Sequence, residues 1–155
     1  MRTRIVMLGV VAVIVAMSAG VDAQNKNPRF GRWKIKSDAP APSSNIMTYE
    51  PLGAKGMKVT VEAVNPKGET SKWWYETQFD GKDMPVSGQQ PNQTSAVTML
   101  NDKVNVITNK RDGKTTQVLT NVLSPDGNTI GVIYMRDDGM GKTIAVTFAT
   151  YERLP

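Results

Sequence analysis

Apolar and polar residues alternate along much of the chain with a period of two. Met57, Val59, Val61 and Ala63 fall on one side of a pleated segment, with Lys58, Thr60 and Glu62 on the other. Trp73, Tyr75, Thr77 and Phe79 share a side opposite Trp74, Glu76 and Gln78. Ile130, Val132 and Tyr134 alternate with Thr129, Gly131, Ile133 and Met135, and Ile144, Val146 and Phe148 with Ala145, Thr147 and Ala149. Successive side chains of a strand point to opposite faces, so this period, carried by β-branched and aromatic residues, predicts strands. They are expected near 30–37, 44–52, 57–64, 70–79, 95–101, 103–111, 115–123, 129–136 and 142–153.

Between these segments stand turn signals. Asp-Gly occurs at Asp80-Gly81, Asp112-Gly113, Asp126-Gly127 and Asp138-Gly139, and Asn65-Pro66-Lys67-Gly68 adds another break. Asp and Asn tolerate left-handed backbone and glycine enters it freely, so such pairs favour tight hairpins. Two stretches interrupt the rhythm: a Pro-rich loop or lid from Asp38 to Ser44, and a longer loop from Met84 to Thr94. The fold expected is all-β, an antiparallel up-and-down meander of about 8-10 strands, because closing a meander into a barrel removes its exposed edges.

The N-terminal segment follows a different pattern. Arg2 and Arg4 precede an apolar run from Ile5 to Met17, which ends in Ser18-Ala19-Gly20 and Val21-Asp22-Ala23. A basic start, a short apolar middle and a small-x-small end are the three parts of a secretory signal peptide. The run is shorter than the ~20 residues of a membrane span. Residues 1–23 are therefore expected to be a cleaved signal peptide and 24–155 a single β-barrel domain, exported to the periplasm or beyond the cell. No membrane span is expected after cleavage.

Composition then narrows the chemistry. The chain has no histidine and no cysteine. This removes Ser-His-Asp and Cys-His nucleophilic sites, thiol redox, disulfides and the usual zinc, haem and copper ligands. A carboxylate pair such as Glu62 and Glu76 would serve a glycosidase only if the two faced each other across a cleft. Asp137-Asp138-Gly139 and Asp126-Gly127-Asn128 lack the ligand spacing of a calcium loop. The formal charge of +5 is scattered through turns, without the basic stripe of a nucleic-acid binder. Neither an enzyme nor a cofactor, a metal or a nucleic-acid partner is expected. Two Tyr-x-Arg pairs remain, Tyr134 with Arg136 and Tyr151 with Arg153, each placed on one face of a strand. A phenol and a guanidinium pointing together can hold a ligand carboxylate; an Arg at a strand end can also simply reach for water.

Phe30-Gly31-Arg32-Trp33-Lys34-Ile35 opens the first strand with Gly-x-Trp, and Tyr151-Glu152-Arg153 closes the last. Between them lie Lys36-Ser37, Pro40, Tyr49-Glu50, Phe79-Asp80-Gly81-Lys82, Pro85-Val86-Ser87-Gly88 and Ser124-Pro125-Asp126-Gly127. This co-linear set resembles the calycin superfamily of lipocalins and fatty-acid-binding proteins, and most of all the exported lipocalin-like domains of bacteria. The resemblance implies structural roles for Gly31, Trp33 and Arg153, with the Trp packed against the Arg in a cation–π contact. No helix is visible after the last strand, where lipocalins have one, nor a helix pair after the first, as in fatty-acid-binding proteins.

A barrel of about eight strands can just hold one small ligand. The expected function is thus binding of a small hydrophobic or amphipathic molecule, with Trp73, Tyr75, Tyr134 and Arg136 as its contacts. Met57, Val59, Val61, Phe79 and Val132 complete the apolar candidates. The alternative is a filled barrel acting as an envelope protein-protein interaction module or inhibitor, for which Trp74 between Lys72 and Glu76 would suit a contact surface.

Overall fold

Hairpin chemistry dominates the architecture. The computed structural model describes residues 27–88 and 91–155, so the signal-peptide reading and Gln89-Gln90 of the mid-chain loop lie outside the described residues. Ten strands follow one another: β1 (Gly31–Ile35), β2 (Ser44–Leu52), β3 (Gly56–Val64), β4 (Thr70–Thr77), β5 (Asp80–Pro85), β6 (Gln93–Asn101), β7 (Val104–Arg111), β8 (Lys114–Leu123), β9 (Thr129–Asp137) and β10 (Thr143–Arg153). They form one sheet in the order β4-β3-β2-β1-β10-β9-β8-β7-β6-β5. Every pairing is antiparallel, and all join chain neighbours except that of β1 with β10, where Trp33 stands opposite Arg153 and Ile35 opposite Tyr151. The chain is therefore an all-β meander curled into a nearly closed barrel, with no helix among the described residues.

A seam is left between β4 and β5. One isolated bridge crosses it, where Trp74 and Ser87 exchange both backbone bonds at 3.0 and 2.9 Å. Gly88 follows with φ +80°, and a Cβ there would stand 2.4 Å from the Lys72 carbonyl oxygen. Only glycine permits so close a crossing.

Strand β5 is a correction to the sequence reading. The sequence predicts a turn at Asp80-Gly81-Lys82 and a loop at Met84-Pro85, yet the chain reverses at Gln78-Phe79 and Asp80–Pro85 pairs with β6. Phe79 adopts φ 61°, with its N–H donated to Thr77 Oγ1 at 2.9 Å. A bulge between Asp80 and Asp83 accommodates the glycine, as an extra residue in one strand does.

The two ends of the barrel differ. At the end where β1 begins, Trp33, Met57, Val97, Leu123 and Ile130 are buried in a packed core. Arg153 lies over Trp33, 4.1 Å from its ring centroid, and its guanidinium donates to the carbonyls of Phe30 (2.8 Å), Gly127 (2.9 Å) and Pro28. Gly31 has φ +127°, and a Cβ added to it would stand 2.9 Å from Arg153 Nη1. Gly31→Ala is expected to cost about 1–3 kcal/mol through this backbone conformation and the displaced guanidinium. Urea unfolding followed by tryptophan fluorescence measures it, and an unchanged midpoint would refute the constraint.

The opposite end is open. On β10, Ala145 and Thr147 share the inward side with Tyr151 but are exposed. The apolar set Ile144, Val146 and Phe148 faces outward, with Phe148 beside Ile133 and Val146 beside Met135. Tyr151 anchors this register in the core, and the period of two then sends the larger apolar side chains to the outside.

Candidate ligand site

Above the packed core the barrel encloses a cavity of about 190 Å³. Strand alternation supplies its walls. Met47 of β2, Val59 and Val61 of β3, Ile107 of β7, Leu119 of β8 and Val132 of β9 form the hydrocarbon part. Trp73 and Tyr75 of β4 add a near-parallel aromatic pair, 6.2 Å between centroids at 14°. All four tyrosines of the chain, Tyr49, Tyr75, Tyr134 and Tyr151, line it. The remaining lining side chains are amides: Asn45, Asn109, Gln117 and Asn121. No charged residue is among the lining.

The polar groups are organised. Tyr134 and Tyr151 share a hydroxyl–hydroxyl bond of 3.1 Å. Ser95 donates to Asn109 at 2.7 Å, and Asn109 to Gln117 at 3.2 Å. Asn121 Nδ2 donates to the Tyr49 hydroxyl at 3.2 Å, while its Oδ1 accepts from Arg29 Nε at 3.5 Å. Arg29 is fully buried just before β1 and donates Nη1 to the Asp102 carbonyl at 2.7 Å; its own carbonyl accepts from Trp33 Nε1 at 2.8 Å. Asn45 Oδ1 has no partner among the described residues.

Burial sets the ionisation of these groups. Tyr49 is pushed up to about 12 by desolvation, partly offset by the Asn121 bond and the Arg29 charge. Desolvation also raises Tyr75, with Tyr49 and Tyr134 adding to it, and raises Tyr151, with Tyr134 adding to it. Tyr134 is raised by burial and eased by its bond to Tyr151. Arg29 is lowered by its own burial. At neutral pH the cavity therefore presents hydroxyls and amides without charge.

A second pocket of about 200 Å³ shares Trp73, Asn109 and Gln117 with the first and continues past Val86, Gln93, Lys110 and Thr116. It leads from the cavity towards the open end.

Trp73, Tyr75 and Tyr134 of the expected contacts line the cavity, as do Val59, Val61 and Val132. Arg136 lies one inward step beyond Tyr134, opposite Gln117, and is exposed at the rim. Met57 lies in the packed core and Phe79 packs against it, both outside the cavity lining. Glu62 and Glu76 point outward, with Glu62 ion-paired to Lys72 at 3.0 Å. Trp74 is half-exposed on the outer wall. The amides were missed. Their signal is present in the sequence: Asn105, Ile107 and Asn109 alternate on one side of β7, and Gln117, Leu119 and Asn121 on one side of β8. Polar residues in an inward register mark a lined interior.

No protein-family model matches the chain, and no curated protein matches it. Solved structures do. The wild-type fluorescent protein UnaG is similar over 81% of this chain and 96% of its own, at 16% identity and TM-score 0.56. A Schistosoma mansoni fatty acid binding protein, solved in complex with arachidonic acid, is similar over 86% of this chain and 99% of its own, at 14% identity and TM-score 0.58. Such likeness shows a shared fold, the barrel of the fatty-acid-binding-protein type.

Proposed function

We propose that the protein is an exported, non-enzymatic barrel that holds one small hydrophobic or amphipathic molecule in its interior. The cavity carries this reading: about 190 Å³ of space lined by both hydrocarbon and tyrosine side chains, reached through an adjoining pocket at the open end. Ligand pockets are mostly apolar with a few placed polar groups, and this one fits that description. The similar barrel solved in complex with arachidonic acid supports a small lipophilic ligand. The outward placement of Glu62 and Glu76 supports binding over hydrolysis. A second reading, an envelope interaction module, draws on the outward apolar stripe of Ile144, Val146 and Phe148, since such patches mark contact surfaces.

The test is native mass spectrometry of the protein purified from its own cell envelope, with solvent extraction of whatever accompanies it. A stoichiometric small molecule on a chain beginning at Gln24 is expected. A bare mass, together with no tryptophan response to a panel of lipophilic probes, would sink the carrier reading and leave the interaction module. A chain beginning at Met1 would sink the export reading.

A further inference from the structure

We propose that the cavity selects a compact, uncharged molecule that presents a carbonyl-type acceptor to the hydroxyl of Tyr49, and that Arg29 sets this polarity from behind the wall. The inference rests on the reading that the barrel binds a ligand and names the class of that ligand.

The polarity follows from what each group can donate. A guanidinium has hydrogens and no lone pair to offer. Arg29 Nε therefore holds the Oδ1 side of the Asn121 amide, 3.5 Å away. A flipped amide would set two donors against each other, so the network assigns the orientation. The amide Nδ2 then faces Tyr49 and donates to its oxygen at 3.2 Å. Tyr49 has accepted a hydrogen and must give its own elsewhere. Its protein acceptor among the described residues is the thioether of Met47, 3.5 Å away, and a thioether is a weak acceptor. A ligand oxygen in the cavity is the stronger acceptor. The Tyr134–Tyr151 pair, one hydroxyl donating to the other, likewise leaves one hydrogen over.

Size and charge narrow the class. A cavity of roughly 150 Å³ holds one benzene ring, so about 190 Å³ holds a single-ring molecule with a short substituent. Arachidonic acid has more than three times the heavy atoms of benzene and would have to extend from this cavity into the adjoining pocket. A carboxylate would leave water to face only neutral groups, a heavy desolvation cost. Arg29 lies outside the lining, so no bidentate ion pair offsets that cost. The same desolvation raises all four tyrosines.

Calorimetric titration of the signal-free chain with four probes tests the class: acetophenone, ethylbenzene, benzoate and palmitate. Acetophenone is expected to bind about tenfold more tightly than ethylbenzene, the scale of one net hydrogen bond, and more tightly than benzoate or palmitate. Tyr49→Phe is expected to lower the preference for acetophenone over ethylbenzene severalfold. Asn121→Asp keeps Tyr49 but puts an acceptor in front of its hydroxyl, and is expected to erase the same preference; a merely structural Asn121 would leave it intact. Circular dichroism of both variants confirms their fold. Tighter binding of benzoate or palmitate would overturn the ligand class while the carrier reading stands. Equal affinity for acetophenone and ethylbenzene would overturn the polarity. Silence from all four probes, with a bare mass from the envelope, would overturn both readings.

Discussion

Arg153→Ala is expected to lower the unfolding free energy by about 2–4 kcal/mol, the scale of losing hydrogen bonds made by a charged group. The guanidinium donates to carbonyls in three places: Phe30, Pro28 and the turn at Gly127. It also covers the ring of Trp33, which is fully buried. The chain entry, the β8–β9 turn and the last strand are thus tied at one side chain, beside the β1–β10 pairing that curls the sheet on itself. Removing it leaves carbonyls without donors and uncovers an indole. Arg153→Lys is expected to recover little, because an ammonium is a point charge and lacks the planar fork that reaches several acceptors at once. Chemical denaturation of both variants measures the effect. A loss under about 1 kcal/mol, the worth of an exposed charge, would show that the arginine merely rests at the surface.

Alkaline pH is expected to unfold the protein in one cooperative step, with tyrosine ionisation and unfolding coinciding. The folded state raises the ionisation of all four tyrosines, Tyr49 to about 12. An acid whose folded value is raised contributes stability in full below its unfolded value. That contribution is lost as pH rises from the unfolded value near 10 through the folded one. Tyr49 alone, shifted by about two units, contributes ~3 kcal/mol by this route, and Tyr75 and Tyr151 act with the same sign. Against a typical total of ~5–15 kcal/mol, the loss between pH 10 and 12 is decisive. Tyrosinate absorbance should therefore appear together with the loss of tryptophan fluorescence from the core. A smooth titration near pH 10 with the fold intact would show that water already reaches the hydroxyls.

The strands that were easiest to read are those in which one side is apolar and the other is not. In β3, Val59 and Val61 separate cleanly from Lys58 and Glu62, and in β4 Trp73 and Tyr75 separate from Lys72 and Glu76. Strand β5 escaped because Asp80-Gly81-Lys82-Asp83 is polar on both sides and carries turn chemistry; it is a strand because β6 offers it an edge. Strand β10 shows a different limit. Alternation separates Ile144, Val146 and Phe148 from Ala145, Thr147 and Ala149 but does not say which set faces in, and the anchoring of Tyr151 decides against the larger side chains. At the site, the aromatics Trp73, Tyr75 and Tyr134 stood out by size. Arg136 shares their face, yet its strand has run past the cavity by that point. Arg29 left no trace in the pattern. It precedes the first strand, and charged side chains are rarely buried, so only the folded chain brings it behind Asn121 and Tyr49.

The seam between β4 and β5 leaves the barrel wall unevenly bonded. A fully laddered wall would have to break many bonds to pass a molecule sideways. Among the described residues the backbone bonds across this seam are those of the Trp74–Ser87 pair, worth about 2 kcal/mol at the usual net value of a hydrogen bond. The wall then behaves as a hinged clasp. An opening of the wall at this point would leave the β1–β10 pairing and the arginine clamp intact.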